Sequence, residues 1–310
     1  MIIRKIYVPF NVRLSPSFVN SVKTYRKLGK NLFLVREPSQ IIAEIDRVFG
    51  KGKPLEFLGR GGLYLCVVEK IADKERLTGL PTNYRYYLHP SIVNFLLACD
   101  LIKSFFFTFD IQFGVDVTDD GKLLLSFFTR GWYMHPTLNM YPTLNKELPF
   151  FEEVDIRKAK NLYQKIVGVS SNSQFRRLQR ALKFYTQTLF TNHKELIFVM
   201  YWQSLEALFS LEDREVTHQL CERIACVLRP PGQKRKEIYH KLKELYAIRS
   251  RIVHGGDISE EEIAKNLKEL ADISRNVLKK ILKSRELLNL YKQKDSKKLR
   301  KYFITKLFSK

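Results

Sequence analysis

The segment Glu237-Ile238-Tyr239-His240-Lys241-Leu242-Lys243-Glu244-Leu245-Tyr246-Ala247-Ile248-Arg249-Ser250-Arg251-Ile252-Val253-His254, closed by Gly255-Gly256, constrains the fold more than any other. Apolar residues at 238, 242, 245 and 252 make a helical stripe. Arg249 falls on that stripe, where a Leu or Ile is expected. A guanidinium there must be buried and paired, or must line an interface or a cleft. Five positions on stands His254, a side chain suited to moving protons near neutral pH. An arginine that holds a phosphate and a histidine that moves a proton are the minimum set for cutting RNA without a metal.

Spacing alone does not select this pair, because Arg130/His135 and Arg235/His240 share it. Context does. Arg130/His135 lies in a predicted strand end and turn, and Arg235/His240 opens a helix after Pro230-Pro231-Gly232. Only Arg249/His254 ends a long amphipathic helix at a Gly-Gly stop. The structural alternative is a charge-complemented helix C-terminus with a glycine cap. At 3.6 residues per turn, positions five apart lie about 140° apart around the axis. The two side chains converge only if the helix unwinds at His254, or if a two-fold partner supplies a second copy.

Trp202-Gln203-Ser204-Leu205-Glu206-Ala207-Leu208-Phe209 forms part of an earlier, nearly apolar helix. A carboxylate there needs a cation, and Arg249 or Arg251 is the natural partner. The expected arrangement is a structural ion pair that orients the arginine. Loss of the charge in Glu206→Gln is then expected to lower stability and activity together.

With Trp202–Phe209 on one helix and Leu245–Gly255 on a later one, region 174–290 resembles a HEPN domain, in detail the Apea-type HEPN family. The resemblance covers somewhat over a third of the chain. It implies an all-α bundle that dimerises so that two Arg-x4–6-His helix ends meet, and metal-independent RNA cleavage with no cofactor. Arg249 and His254 take the catalytic positions, with Glu206, Ser250 and Arg251 supporting. Catalytic relatives often carry Asn, Asp or His where this chain has Ser250. Other HEPN domains only bind RNA, a nucleotide or a partner protein. The resemblance further implies a role in anti-phage defence or as a toxin, with a phage trigger or an antitoxin as partner.

Charge agrees with a polyanionic partner. The chain holds 54 Lys+Arg against 32 Asp+Glu, a net charge of +22. Residues 151–310 account for 34 basic and 19 acidic residues. Such an excess favours RNA through counterion release, and would equally suit a ribosomal or membrane surface. Apolar runs are too short to span a membrane, and the start lacks a signal-peptide core. Cys66, Cys99, Cys221 and Cys226 form no Cys-x2-Cys pair, so neither a zinc site nor a disulfide framework is expected. His218 and Cys221 lie one helical turn apart without further ligands, so no metal is assigned. The reading is a cytoplasmic protein with reduced thiols.

The expected class is α+β: a mixed α/β domain over 1–150, of possible sensing or regulatory role, then a helical bundle over 151–310. Strands are predicted at Ile2–Val12, Leu32–Val35, Leu63–Val68, Phe105–Val117 and Lys122–Phe128, the last two joined by a turn at Thr118–Gly121. Helices are predicted around Ser39–Val48 and Pro90–Leu97. In the second region they are predicted at Val154–Ile166, 174–191, 194–211, 214–228, 233–254 and 260–290, with a break over Gly168–Ser173 capped by Ser173. Ser259 and Glu262 form a capping box. The basic amphipathic end presents Leu299, Tyr302, Phe303 and Leu307 on one face, read as docking on the bundle. Gly59-Arg60-Gly61-Gly62 reads as a plain turn, and the echo His135–Met140/Tyr141–Lys146 as an extended loop.

Overall fold

A computed structural model describes residues 2–10, 14–23, 25–36, 63–71, 89–103, 108–117, 123–134, 150–191, 193–211, 216–292 and 296–308. The predicted helix at Ser39–Val48, the turn at Thr118–Gly121, the Gly59–Gly62 loop and the 135–146 echo lie outside them. The chain forms two compact units. Among the described residues, the first takes everything through Gln164 except Asp100–Ile102. The second takes those three residues and everything from Lys165.

The first unit is built on six antiparallel strands: β1 (Ile2–Pro9), β2 (Tyr25–Lys27), β3 (Leu32–Arg36), β4 (Leu63–Ile71), β5 (Thr108–Val117) and β6 (Leu123–Met134). Their order is β2-β3-β4-β1-β5-β6, with β1 pairing β4 on one side and β5 on the other. Register explains the pattern. Ile6 and Leu32 both oppose Val67, and Val8 and Leu34 both oppose Leu65. All six are fully buried on one face of the sheet. Tyr7, Tyr64 and Cys66 bury the opposite face, so the middle of β4 reads as a continuous apolar run rather than an alternating one. Burial pushes the Cys66 thiol up to about 12, so it behaves as a small apolar group.

Helix α1 (Pro16–Ser21) and helix α2 (Pro90–Ile102) each begin with Pro in the first turn. His89 caps α2: its Nδ1 accepts the Ser91 N–H at 3.1 Å. The ring then carries its proton on Nε2, which donates to the Glu69 carboxylate of β4 at 2.8 Å. That hydrogen bond, foremost, holds the Glu69 carboxyl below its ordinary value.

Helix α3 (Glu153–Ser170) runs through Gly168 and Val169, where a break is predicted. Val169 is buried, and a Cβ on Gly168 would meet nothing, so packing of the buried face outweighs glycine's weak helix propensity. The break comes at Ser171. Asn172, not Ser173, caps the following 3-10 turn, accepting the Gln174 N–H at 3.0 Å.

The second unit is helical: α4 (Arg176–Thr188), α5 (Lys194–Phe209), α6 (Val216–Leu228), α7 (Gln233–Val253), α8 (Glu260–Lys283), α9 (Arg285–Tyr291) and α10 (Ser296–Phe308). The nearly apolar α5 touches α4, α6, α7 and α8, burying Phe198, Tyr201, Trp202, Leu205, Leu208 and Phe209. Instead of one predicted helix over 260–290, Ser284 ends α8 and starts α9. Its N–H donates to the Lys280 carbonyl at 3.0 Å and its Oγ accepts the Leu287 N–H at 3.2 Å. The basic α10 buries Leu299 and Phe303, and the Phe303 ring meets Phe209 edge-on at 5.7 Å, as the docking reading expects.

A buried polar knot ties Asp100 into this unit. Tyr185 Oη donates to Asp100 Oδ2 at 2.6 Å, and Arg275 Nε donates to the Asp100 carbonyl at 2.9 Å. Burial and the Asp100 charge push the Tyr185 hydroxyl well above its ordinary value, so it serves as a permanent donor. The fold class is α+β, and none of the described helices is long and apolar enough to cross a membrane.

Replacing His89 with Ala removes a helix cap and the partner of Glu69 together. Unfolding in denaturant should show a loss of about 1–2 kcal/mol. Glu69 now contributes stability above its unfolded value, lost as pH falls. That acid-side loss should shrink in the variant.

Candidate active site

Helix α7 starts after Gly232, whose φ of +123° suits glycine alone, and ends in a tight turn. His254 occupies the C-cap with φ −99° and ψ 12°, and its N–H donates to the Ser250 carbonyl at 3.0 Å. Gly255 follows at φ +71°, and the Gly256 N–H donates to the Arg251 carbonyl at 2.8 Å. This is a Schellman ending, and it accounts for the Gly-Gly pair. The helix therefore does not unwind before His254.

Arg249 is turned inward, with 18% of its side chain exposed, and its Nη2 lies 3.2 Å from Glu206 Oε1 of α5. The guanidinium also stacks over the Tyr246 ring at 5.4 Å, and that ring meets Trp202 edge-on at 5.0 Å. The two segments that carry the HEPN resemblance are thus joined by one continuous contact: Trp202, Tyr246, Arg249, Glu206. Of the two arginines that could serve Glu206, the structure selects Arg249.

Arg251 is committed elsewhere. Its Nη1 donates to Glu262 Oε2 at 3.2 Å, its Nη2 contacts Oε1, and Nη1 reaches the Asp257 carbonyl at 3.5 Å. The two-pronged pair ties the end of α7 to the start of α8. It also occupies the Glu262 carboxylate. Ser259 Oγ still accepts the Glu262 N–H at 3.2 Å, so the serine half of the predicted capping box is present. Arg235 is likewise occupied, donating to the carbonyls of Arg229 at 3.2 Å and Lys306 at 3.1 Å.

Within one chain, then, the fold joins Arg249 with Glu206 and leaves His254 exposed at the helix end. Ser250 is half-buried between them and contributes its carbonyl to the His254 cap. His218 pairs with the Tyr239 hydroxyl at 2.7 Å. Burial pushes the Cys221 thiol up to about 12.

Sequence reasoning overlooked the surroundings of Glu206. A cleft of about 630 Å³ between α4 and α5 is lined by Arg176, Arg177, Arg180, Gln203, Glu206 and Ser210, among others. Arg177 Nη1 caps the end of α5 through the carbonyls of Ala207 at 3.3 Å and Ser210 at 2.8 Å. Burial, with Arg180 adding to it, holds Arg177 below its ordinary value. The signal was present in Arg176-Arg177-Leu178-Gln179-Arg180, where positions 176 and 180 share a helix face. Glu206 thus belongs at once to an arginine-lined cleft and to the Arg249 pair.

Burial raises the Glu206 carboxyl above its ordinary 4.5, and Arg249 offsets only part of the shift. A carboxylate so raised binds its proton more tightly folded than unfolded. Its contribution favours folding below pH 4.5 and is lost as pH rises through the raised value. The charged pair therefore orients Arg249 at a cost in stability. Scanned against family models, curated proteins and solved structures, the chain matches none.

Glu206→Gln, which resembles the protonated acid, should melt at the same temperature as the parent below about pH 4 and no lower than it at neutral pH, contrary to the sequence-based expectation. Melting curves against pH check this. A neutral-pH melting temperature well below the parent's would instead identify a stabilising pair.

Proposed function

We propose that the helical unit is a metal-independent endoribonuclease of the HEPN type, working as a homodimer. The observation that carries this reading is Arg249, held by Glu206 beside an arginine-lined cleft, five residues before an exposed His254. Arginines around a concave surface attract a phosphate backbone, and a guanidinium offers paired donors to phosphoryl oxygens.

In this reading His254 takes the proton of a ribose 2′-OH as general base. The 2′-oxygen attacks the adjacent phosphorus, the bond to the 5′-oxygen breaks, and a 2′,3′-cyclic phosphate remains. The expelled 5′-oxygen takes up a proton from solvent. Arg249 stabilises the charge that builds on the phosphorane oxygens, and Glu206 fixes its orientation. Arg249 is turned to Glu206 while His254 stands exposed at the C-cap, so in this reading the complete site takes Arg249 from one copy and His254 from the other. A place in anti-phage defence or as a toxin accords with this chemistry, with the first unit sensing the trigger.

The second reading is a HEPN module that binds RNA, a nucleotide or a partner protein without cutting. The observation on its side is that the Arg249 charge is already matched by Glu206 while His254 stands apart.

Purified protein incubated with structured RNA in EDTA should yield fragments with 2′,3′-cyclic phosphate ends, and 2′-deoxy substrates should survive. Arg249→Ala/His254→Ala should reduce the rate by about 10²–10⁴-fold. Binding without cleavage by the parent protein would select the second reading.

A further inference from the structure

A second groove, of about 1010 Å³, runs along α8 on the side of the α6–α7 joint. Among the described residues, six cations line it: Arg229, Lys265, Lys268, Lys279, Lys280 and Lys283. Two carboxylates lie among the described lining residues, and each also meets a cation outside these six. Glu269 lies 3.1 Å from Lys241, and Asp272 is in contact with Arg275. The lysines also crowd one another. Burial, with Arg275 and Lys283 adding to it, pushes the Lys279 ammonium below its ordinary value. Burial and Arg229 do the same to Lys280. A bound polyanion would offset the like-charge part of that crowding.

The shape of the set says which polyanion. Lys265, Lys268, Asp272, Asn276, Lys279 and Lys283 recur at helical three-to-four spacing, which places them on one face of α8. From Lys265 to Lys283 the helix advances about 27 Å, at 1.5 Å per residue. Charge spread over that length suits an extended backbone rather than one compact phosphate cluster. The floor is apolar, with Leu228, Ile238 and Ile273, and no aromatic ring lines it among the described residues. The groove can therefore follow a backbone by charge but has no platform on which to stack bases.

We infer that this groove holds the sugar–phosphate backbone of a single RNA strand, without regard to sequence, as a docking site separate from the arginine-lined cleft. The choice of RNA over another single-stranded nucleic acid rests on the proposed cleavage. The groove itself does not.

The test is fluorescence anisotropy of the full chain with a short labelled oligoribonucleotide carrying 2′-O-methyl groups, which cannot be cut. Lys265→Gln/Lys279→Gln/Lys283→Gln should weaken binding roughly 10–100-fold at low salt. The slope of log affinity against log salt should fall by about 2, near 0.7 for each lost phosphate contact. Asn276→Lys, which adds a cation to the same face, should tighten binding, a gain that misfolding cannot mimic. An unchanged slope in the triple variant, no gain in Asn276→Lys, or displacement of the strand by inorganic triphosphate at equal phosphate concentration would each overturn the inference. Added to the Arg249→Ala/His254→Ala background, the groove triple should lower the slope by the same amount as in the parent. Failure of the groove and failure of the cleavage reading are therefore read separately.

Discussion

A charge on the apolar stripe of α7 has to be matched, and the helical unit is arranged around that requirement. Arg249 sits one residue past the buried Ile248 and one turn past the buried Leu245. Only 18% of its side chain is exposed, so its guanidinium needs a polar partner. Glu206 supplies the match from α5, the helix that contacts most of the unit. The pair joins α5 to α7, and Tyr246, edge-on to Trp202, lies under the guanidinium. Desolvation of the carboxylate outweighs what Arg249 returns. In the proposed reading the pair is a positioning device, kept although burial disfavours the Glu206 charge.

The division of labour among the arginines follows from geometry. Arg251, two residues on, faces away from α5 and binds the first turn of α8 through Glu262. Arg177 braces the end of α5. Arg235 receives the carbonyl ends of neighbouring segments. These three hold elements in place. Arg176 and Arg180 line the cleft, and Arg249 is set beside it by Glu206. Part of the basic excess behind the net charge of +22 thus serves as braces, as a cleft lining and as a separate lysine face on α8.

Much of this was legible in the residues. The limits of α7 followed from its apolar stripe, from Pro230-Pro231-Gly232 and from Gly255-Gly256, because caps and breakers act locally. That Glu206 needs a cation was legible from its apolar helix. Which arginine answers was not, since the choice turned on Glu262, a residue of a later helix that claims Arg251. The stop at Ser284 was hidden because Ile281, Leu282, Leu287 and Leu288 continue the apolar period across it. Gly168 misled in the opposite direction, since neighbouring buried residues carry the helix through it. The arginine cleft was missed because charges on a helix face look solvated until a second helix makes them concave.

The account rests on Glu206 acting through Arg249, and a double-mutant cycle on single-turnover RNA cleavage tests that most directly. Arg249→Lys keeps the charge but loses the planar fork. Glu206→Gln should slow the parent protein about 10–100-fold, the range for a group that orients a functional side chain, and should cost almost nothing further in the Arg249→Lys background. Equal losses in both backgrounds would contradict the account, because Glu206 would then act independently of the arginine it holds.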